Sequence, residues 1–195
     1  MNRVAILSNA GSGRNHRRDV LLRDLDTLSG VHHRVTRSAE EVDAALAELL
    51  APAPDVLAVN GGDGTVQAVL TALERRGGSD GPPLAILPAG STNMSAHDLR
   101  CGGPLHARLV DLLALRDRPV AAWRLAERRP LNISDHAGDI RVGFFFGLGT
   151  IVRGIWGPAS PWSGPPGASP GASRRSRNPS VSAWASTAAN RCPGN

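Results

Sequence analysis

Residues 55–67 read DVLAVNGGDGTVQ, and this stretch decides the fold. Its apolar run predicts a buried strand, and apolar residues recur at helical spacing after the glycines, at Val66, Val69, Leu70 and Leu73. The glycines therefore lie where a strand passes into a helix. At such a crossing a backbone without Cβ atoms can approach a phosphate, and the helix N-terminus offers unpaired N–H groups.

The five residues Gly61-Gly62-Asp63-Gly64-Thr65 carry a family resemblance. They resemble the GGDGT signature of the diacylglycerol kinase catalytic domain, which sphingosine and ceramide kinases share. Related forms occur in NAD kinases and 6-phosphofructokinases. A glycine-rich loop without any ligand is the alternative, and the position between a strand and a helix disfavours it.

A second glycine-bearing turn follows the strand predicted at residues 3–8. Residues 9–13 read NAGSG and resemble the N-P-x-S-G motif that opens diacylglycerol kinase domains; Asn9, Ser12 and Gly13 match it, whereas Ala10 replaces the proline. Such a turn aims main-chain N–H groups at phosphate. In the family a threonine at the end of the next strand touches the nucleotide, and Thr36 matches it. A solvent-exposed turn threonine is the alternative.

A third motif follows the strand predicted at residues 84–87. Residues 88–96 read PAGSTNMSA and resemble the family pattern P-x-G-T-x-N-D-x-A. Gly90 and Asn93 match, Ser91 keeps a hydroxyl in place of threonine, and Met94 replaces an aspartate, which leaves the lipid preference open. Three such loops at the carboxyl ends of successive strands indicate a ligand site, because open α/β sheets bind ligands there.

The resemblance implies that ATP and Mg²⁺ are the cofactors. It assigns Asp63 as the catalytic residue, organising Mg²⁺ or the acceptor hydroxyl; a helix N-terminal acid that favours the dipole is the alternative. No cluster of metal-ligating side chains is expected. The predicted nucleotide-binding residues are Asn9, Ser12, Gly13, Thr36, Gly61, Gly62, Gly64, Thr65, Gln67, Gly90, Ser91 and Asn93.

The composition excludes several other sites. All 22 basic residues are Arg, so neither a Walker A lysine nor a Schiff-base lysine exists. Cys101 and Cys192 are too few for a zinc site and are predicted to be free thiols. His32 and His33 lack metal-ligand spacing and are predicted at the surface. Without a predicted signal peptide or transmembrane segment, we expect a cytoplasmic protein, with the inner membrane surface as the place where it would meet a lipid.

Charge is distributed unevenly and divides the chain. Residues 1–139 hold 16 Arg and 17 acidic residues, whereas residues 140–195 hold 6 Arg and no acidic residue. The basic charge thus belongs to the last quarter, and we expect no nucleic-acid partner for the folded part. We predict a nucleotide-binding domain at 1–119. Because strands predicted at 120–125, 131–133 and 140–146 follow one another without helices, we also predict an incomplete β-rich second domain at 120–156.

Residues 157–195 are predicted to be a disordered tail, since they are rich in Pro, Gly, Ser and Arg and poor in aliphatic residues. An Arg-Ser tract at 173–177 that binds RNA or anionic lipid is one alternative, and a natural linker is another. We favour a third interpretation, an out-of-frame or prematurely terminated end of a GC-rich gene. The chain would then be a C-terminally truncated kinase.

The resulting expectation is an NAD kinase/diacylglycerol kinase-like α/β protein that transfers the γ-phosphate of ATP to a lipid hydroxyl of the diacylglycerol or sphingoid type. Its second-domain acids would be missing, because no Asp or Glu follows Asp139. A non-catalytic nucleotide-binding remnant and an NAD kinase-like enzyme are the alternatives. Exposed edge strands in an incomplete β domain would also favour association, so a homodimer is a possible assembly.

Overall fold

The computed structural model describes residues 2–13, 15, 25–78, 81–119, 122–146 and 188–192. Its main sheet contains four parallel strands in the order β2-β1-β3-β4. This confirms the predicted α/β fold class. The strands are β1 (Val4–Asn9), β2 (Val31–Thr36), β3 (Val56–Gly61) and β4 (Leu84–Pro88).

Both faces of this sheet are covered, which explains its continuous apolar strands. Successive residues of a strand point to opposite faces. In β1, Val4 and Ile6 belong to one buried cluster, and Ala5 and Leu7 belong to the other. Strands that are buried on both faces favour uninterrupted Val, Ile and Leu rather than alternation with polar residues.

Helices within the described residues supply both layers. They are α1 (Glu41–Leu50), α2 (Asp63–Arg75), α3 (Met94–Asp98) and α4 (Leu105–Leu115). Residues of α1 and α2 pack in one cluster and residues of α4 in the other. The helix expected after the first turn falls mostly outside the described residues.

Ser38 and Glu41 have the spacing of a capping box, which predicts a helix starting after Ser38, but the start of α1 differs from that pattern. The helix begins at Glu41, and its N-cap, Glu40, makes no capping side-chain bond. Glu41 still reaches back, since its carboxylate accepts the Arg37 main-chain N–H at 2.8 Å. A carboxylate in the first turn also interacts favourably with the positive end of the helix dipole, so the helix can start there without a serine cap.

Of the later strands, those predicted at 131–133 and 140–146 are observed at 131–134 and 140–143, whereas the one predicted at 120–125 is not at its predicted place. Strand β5 (Arg124–Arg128) pairs antiparallel with β8 (Ala188–Cys192), and β8 lies beside β4 in the main sheet. A separate antiparallel pair is formed by β6 (Leu131–Ser134) and β7 (Ile140–Gly143). The strand expected at 120–125 is thus displaced to 124–128. Of residues 157–195 only 188–192 are described, and these five form strand β8.

The chain divides into two compact units, residues 1–144 with 185–195, and residues 145–184. Only Phe145 and Phe146 of the second unit are described. Within the first unit, Val142 of β7 and Phe144 are buried in the cluster that also contains α1 and α2. A second domain starting at residue 120 remains a prediction.

Cys101 is disulfide-bonded, and no described cysteine is free. The prediction of free thiols is therefore wrong; a pair of cysteines ninety-one residues apart in the sequence gives no spacing signal from which a bond could be recognised. Across the part of the chain that the structure describes, each helix is too short or too polar to cross a membrane.

Candidate functional site

Three loops meet at the carboxyl edge of the parallel sheet, because the register places their strand ends side by side. Ser8 is level with Asn60, and Gly61 is level with Pro88. A cleft of about 420 Å³ opens between these loops and the start of α1. Its lining includes these predicted nucleotide-binding residues: Asn9, Ser12, Gly13, Thr36, Gly62, Gly64, Thr65, Gly90 and Ser91. The sequence thus predicted most of one continuous surface.

A side-chain bond joins the first two loops. The Asn9 carboxamide donates to the Thr65 hydroxyl at 2.9 Å and accepts the Gly11 main-chain N–H at 2.8 Å. The Asn9 side chain therefore holds its own turn and the start of α2 at once. Thr36 closes the far side, where its main-chain carbonyl accepts the Ala10 N–H at 2.9 Å.

Two glycine positions are required by close packing within the site. A Cβ added at Gly61 would lie 2.5 Å from Thr65 Cβ, and one added at Gly90 would lie 2.5 Å from Gly62 Cα. Contacts of this length are impossible for real Cβ atoms, so the second and third loops can touch only as glycines. Gly61 itself lies beneath the cleft surface rather than on it.

Asn93 shapes the third loop from within. Its backbone is left-handed, with φ of 54°, a conformation that Asn tolerates better than most residues. Its buried carboxamide accepts the Gly90 N–H at 2.8 Å and donates to the Gly90 carbonyl at 2.7 Å. Asn93 does not line the cleft, so the structure gives it the role of holding Gly90 and Ser91 in place.

The predicted catalytic residue, Asp63, points toward the third loop. One carboxylate oxygen accepts the Met94 N–H at 3.0 Å, and the other accepts the N–H and the hydroxyl of Ser95, each at 2.8 Å. Asp63 is absent from the described lining of the cleft. Its observed contacts are those of a cap on α3, and a catalytic role remains a prediction.

Gln67 lies one helical turn beyond the glycines and faces a neighbouring cleft of about 300 Å³. That cleft shares Gly64 and Ala68 with the first one and also contains Arg75 and Arg141. Gln67 thus does not line the first cleft, although the sequence prediction grouped it with the residues of that cleft. Gly64 and Gln67 lie three residues apart on one face of the helix, and both line this second cleft, whereas only Gly64 also lines the first.

The electrostatics of the first cleft favour an anion. The N-cap of α2, Gly62, makes no side-chain capping bond, so the positive end of the helix faces the cleft beside Gly64. Among the described lining residues Arg37 is the only charged one. The sequence reasoning missed Arg37; its position immediately after Thr36, at the end of a parallel strand, was the available signal.

A row of buried polar side chains behind the loops was also missed. Ser8, Asn15, Asn60 and His33 have at most 5% of their surface exposed. His33 was predicted at the surface, and this is wrong: its ring lies between Ser8 and Asp26, at 2.8 Å and 2.7 Å. Burial lowers the pKa of His33, and the Asp26 carboxylate only partly offsets this. Ser8 and Asn60 at the ends of otherwise apolar strands were the sequence signal.

The site fits the phosphate part of a nucleotide better than it fits a metal. Within the described ranges, no group of three His, Cys, Asp or Glu side chains could hold a metal ion. Magnesium usually keeps several waters and is bound through one or two carboxylates and the substrate phosphates. Asp63 is the only carboxylate in the three loops, and both of its oxygens already bind α3.

Comparisons with known proteins agree with this geometry. The family model of the diacylglycerol kinase catalytic domain matches residues 3–124. A crystal structure of a diacylglycerol kinase from Bacillus anthracis str. Sterne matches with a TM-score of 0.51 at 19% identity, covering 71% of this chain and 45% of that chain. Two further structures from that organism match at the same TM-score and identity, with 47% and 44% of their lengths covered.

This chain therefore spans less than half the length of the solved structures that it matches. No curated protein sequence matches it. At this identity the structural likeness shows the fold alone, and the family model carries the relationship. Because that model covers more than half of the chain and includes all three loops of the cleft, the chain belongs to the diacylglycerol kinase catalytic domain family.

Proposed function

We propose that the chain binds the phosphates of ATP in the cleft between its three glycine-bearing loops. In this proposal it is the nucleotide-binding part of a kinase that transfers the γ-phosphate to a lipid hydroxyl. One observation carries the proposal: loops that lie far apart in sequence converge on a single cleft, and its described lining combines glycines, hydroxyl side chains and one guanidinium with one carboxamide and a few small apolar residues.

The chemistry of this lining suits a polyphosphate. A phosphate group needs several N–H and O–H donors, and a helix N-terminus supplies oriented N–H groups together with a favourable dipole. The start of α2, the Ser12 and Ser91 hydroxyls and the Arg37 guanidinium all lie on the same cleft. Donors on opposite walls would contact different oxygens of one polyphosphate and so fix its direction.

Transfer of the γ-phosphoryl group depends mainly on positioning and on neutralising charge. Bound Mg²⁺ would supply part of that neutralisation, and Arg37 and the α2 dipole would supply the rest. In this proposal Asp63 keeps the second and third loops in register through Met94 and Ser95. Comparing the activities of Asp63→Asn and Ser95→Ala distinguishes this positioning role from one in which the same carboxylate also organises Mg²⁺ or the acceptor hydroxyl.

The acceptor class follows from the family rather than from the cleft. A diacylglycerol or a sphingoid base at a membrane surface would bring a primary hydroxyl to the open side of the γ-phosphate. The residue at the family's aspartate position is Met94, whose side chain is 46% exposed. An exposed thioether there is compatible with an apolar acceptor, and we propose that it faces the lipid rather than the nucleotide.

Gly64→Ala provides the sharpest test of the nucleotide site. A Cβ at Gly64 meets nothing within 4 Å, so the change is tolerated in the folded chain and places a methyl group in the cleft. Alanine also has the better helix propensity, by roughly 1 kcal/mol. We expect equal or higher stability together with ATP binding weakened by about tenfold, or ~1.4 kcal/mol, in calorimetric titration.

Gly81→Ala is the matched control, because Gly81 also has room for a Cβ and lies away from the cleft. It should leave ATP affinity unchanged. Wild-type protein that shows no ATP binding, or a Gly64→Ala variant that binds as the wild type does, would overturn the proposed site.

The transfer reaction is tested separately with radiolabelled ATP and Mg²⁺ against vesicles containing diacylglycerol or sphingosine, and against NAD in solution. Label in the lipid fraction is the expected result. Label in NAD would replace the lipid acceptor by a dinucleotide. ATP binding without label in any acceptor would assign this chain as a nucleotide-binding remnant and would refute the transfer step.

A further inference from the structure

A continuous row of buried side chains connects the surface behind β2 to the floor of the cleft. The Asp26 carboxylate contacts His33 Nδ1 at 2.7 Å, and His33 Nε2 contacts the Ser8 hydroxyl at 2.8 Å. The Asn60 carboxamide donates to the same hydroxyl at 2.9 Å. Three strands, or the segments beside them, thus contribute to one polar chain inside an otherwise apolar sheet.

The row continues to the residue that binds the first loop to α2. Asn15 Nδ2 donates to the main-chain carbonyl of Asn60 at 3.1 Å and to that of Asn9 at 2.9 Å. The Asn9 side chain in turn donates to the Thr65 hydroxyl, which lies on the cleft. The row therefore consists of hydrogen bonds except at Asn60 and Asn9, where it passes from side chain to main chain within the residue; Ser8, Asn15 and Asn60 are almost completely buried.

The direction of these bonds is fixed by their chemistry. Asp26 can only accept when ionised, so His33 Nδ1 carries a proton and donates to it. Neutral His33 then accepts the Ser8 proton at Nε2, which leaves the Ser8 oxygen to accept from Asn60. If Nε2 carried the proton, His33 would donate to the Ser8 oxygen, and the Ser8 hydroxyl would need another acceptor.

We propose that His33 is a positioning residue of the nucleotide cleft, acting through Ser8 and Asn60 to fix the orientation of the Asn15 and Asn9 loop. The inference rests on the proposed ATP site for its functional consequence. Its structural basis is the cost of burying an unpaired donor, which favours one arrangement of the Ser8 hydroxyl and of the Nδ2 groups of Asn60 and Asn15; the Oδ1 atoms of these two amides have no partner among the described residues. A distant side chain thereby determines how the first loop presents its donors.

The order Ser8, His33 and Asp26 resembles the order of a hydrolase triad, but the surroundings exclude that chemistry. A triad serine must be reached by a substrate and must face an oxyanion hole. Ser8 has no exposed surface and His33 has 5%. The same three groups can therefore act only on the protein itself, by fixing a tautomer and a hydroxyl direction.

Two substitutions of His33 distinguish the contact made by Nε2 from the contact made by Nδ1, because each keeps only one of them. In His33→Gln the amide reaches roughly the position of Nε2, so its oxygen can still accept from Ser8. In His33→Asn the shorter amide reaches roughly the position of Nδ1, so the contact with Asp26 is kept and the contact with Ser8 is lost. His32→Gln is the matched control, because His32 is the neighbouring exposed histidine on the same strand.

The inference predicts that His33→Gln retains ATP affinity within about twofold, whereas His33→Asn loses roughly tenfold. Ser8→Ala, which removes the hydroxyl and leaves Asp26 untouched, should resemble His33→Asn. If His33→Asn does not fold, Ser8→Ala alone tests whether the contact between His33 and Ser8 matters for ATP binding. The Gly11 amide resonance reports the Asn9 side chain directly, through the 2.8 Å bond, and should move in Ser8→Ala and His33→Asn and stay in place in His33→Gln.

Two results would overturn the inference: Ser8→Ala with wild-type ATP affinity, or a Gly11 resonance that is indifferent to Ser8→Ala. An equal loss of ATP affinity in His33→Gln and His33→Asn would also overturn it, because the hydrogen bond between His33 and Ser8 would then have no effect on the cleft. Absence of ATP binding in the wild type refutes the proposed function alone, since the Gly11 resonance still tests the row of hydrogen bonds.

Discussion

Asp63 and Ser95 are joined by two hydrogen bonds of 2.8 Å to the same carboxylate oxygen, one from the main-chain N–H of Ser95 and one from its hydroxyl. A residue of the first turn of α2 thus caps α3 on a different loop. The second loop contributes the carboxylate and the third contributes the donors. This contact therefore ties the second loop to the third beside the close packing of Gly62 and Gly90.

Asp63→Asn should destabilise the fold and abolish any phosphoryl transfer. An amide has one accepting oxygen in place of two, so a donor of Met94 or Ser95 is left facing an NH₂ group, and we expect a loss of about 1–3 kcal/mol in unfolding free energy. Urea denaturation measures the stability loss, and phosphate transfer measures activity.

Ser95→Ala is the control for that prediction, since it removes one of the donors and keeps the carboxylate. If Asp63 acts only by positioning α3, the stability losses of the two variants should be coupled in a double-mutant cycle and activity should fall in both. Unchanged turnover in Asp63→Asn would remove Asp63 from the mechanism. Activity lost in Asp63→Asn and retained in Ser95→Ala would indicate a direct catalytic role.

Gly90→Ala should be far more damaging than Gly64→Ala, although both glycines line the same cleft. The added methyl at Gly90 would lie 2.5 Å from Gly62 Cα, which is backbone and cannot change rotamer. Overpacking of this kind costs typically about 1–3 kcal/mol. Thermal unfolding of the two variants in parallel checks the contrast; equal melting temperatures would show that the loops can separate without cost.

Arg37→Gln should weaken ATP binding without affecting the fold, because its guanidinium is exposed and lines the cleft. We expect about a fivefold loss at low ionic strength, or ~1 kcal/mol, and a smaller difference at high salt, where exposed charges are screened. Exposed Arg129, outside the cleft, gives the control variant Arg129→Gln. A loss that is independent of salt would contradict an electrostatic role.

The three loops were predictable because their chemistry is local. Glycine between an apolar strand and a helical repeat indicates close approach wherever it occurs, and parallel strands bring their carboxyl ends to one edge. The partners of Asp63 and His33 were not predictable, since each lies on an element distant in sequence. His33 stands beside another histidine in a short polar strand, and no local pattern shows that its ring is buried between Asp26 and Ser8.

The first strand after residue 120 was placed less well for a similar reason. Residues 124–128 read RLAER, a sequence with little β-propensity, and they form β5 because β8 supplies a partner more than sixty residues later. Pairing between segments so far apart leaves no local pattern, and tertiary context overrides propensity. The apolar run at residues 56–61 indicates a strand without reference to any distant partner, and this strand was predicted to within one residue at each end.

The stability of the fold should decrease as the pH falls through the ordinary pKa of histidine, about 6.5. Burial lowers the pKa of His33, with Asp26 raising it and Arg34 lowering it to smaller extents. Below that pH the unfolded chain binds a proton that the folded chain resists, so the unfolding free energy falls. His33→Gln should flatten this part of the profile between about pH 7.5 and about pH 5.5.

Chemical denaturation at several pH values measures this effect, and His32→Gln supplies the comparison. The exposed histidine should leave the slope as it is in the wild type. A profile whose slope is the same in His33→Gln as in the wild type would contradict the burial of His33 as its cause and would point to another titrating group.

Thr71→Val should loosen β7 from the nucleotide domain. The Thr71 hydroxyl accepts the Val142 main-chain N–H at 2.9 Å and donates to the Gln67 carbonyl at 2.8 Å, so it connects the middle of α2 to the β6–β7 pair. Valine has nearly the same shape and cannot accept. The buried N–H of Val142 then loses its partner, at a cost of about 1–3 kcal/mol.

Limited proteolysis distinguishes a local effect of Thr71→Val from a global one. In the wild type we expect protection through Phe144, because Val142 and Phe144 are buried against α1 and α2. In Thr71→Val cleavage should appear in the Asp135–Asp139 turn, while the sheet from β1 to β4 stays protected. Thr71→Ser, which keeps the hydroxyl, should restore the wild-type pattern. Cleavage near residue 120 in the wild type would instead support a domain boundary there and would show that β7 does not depend on α2.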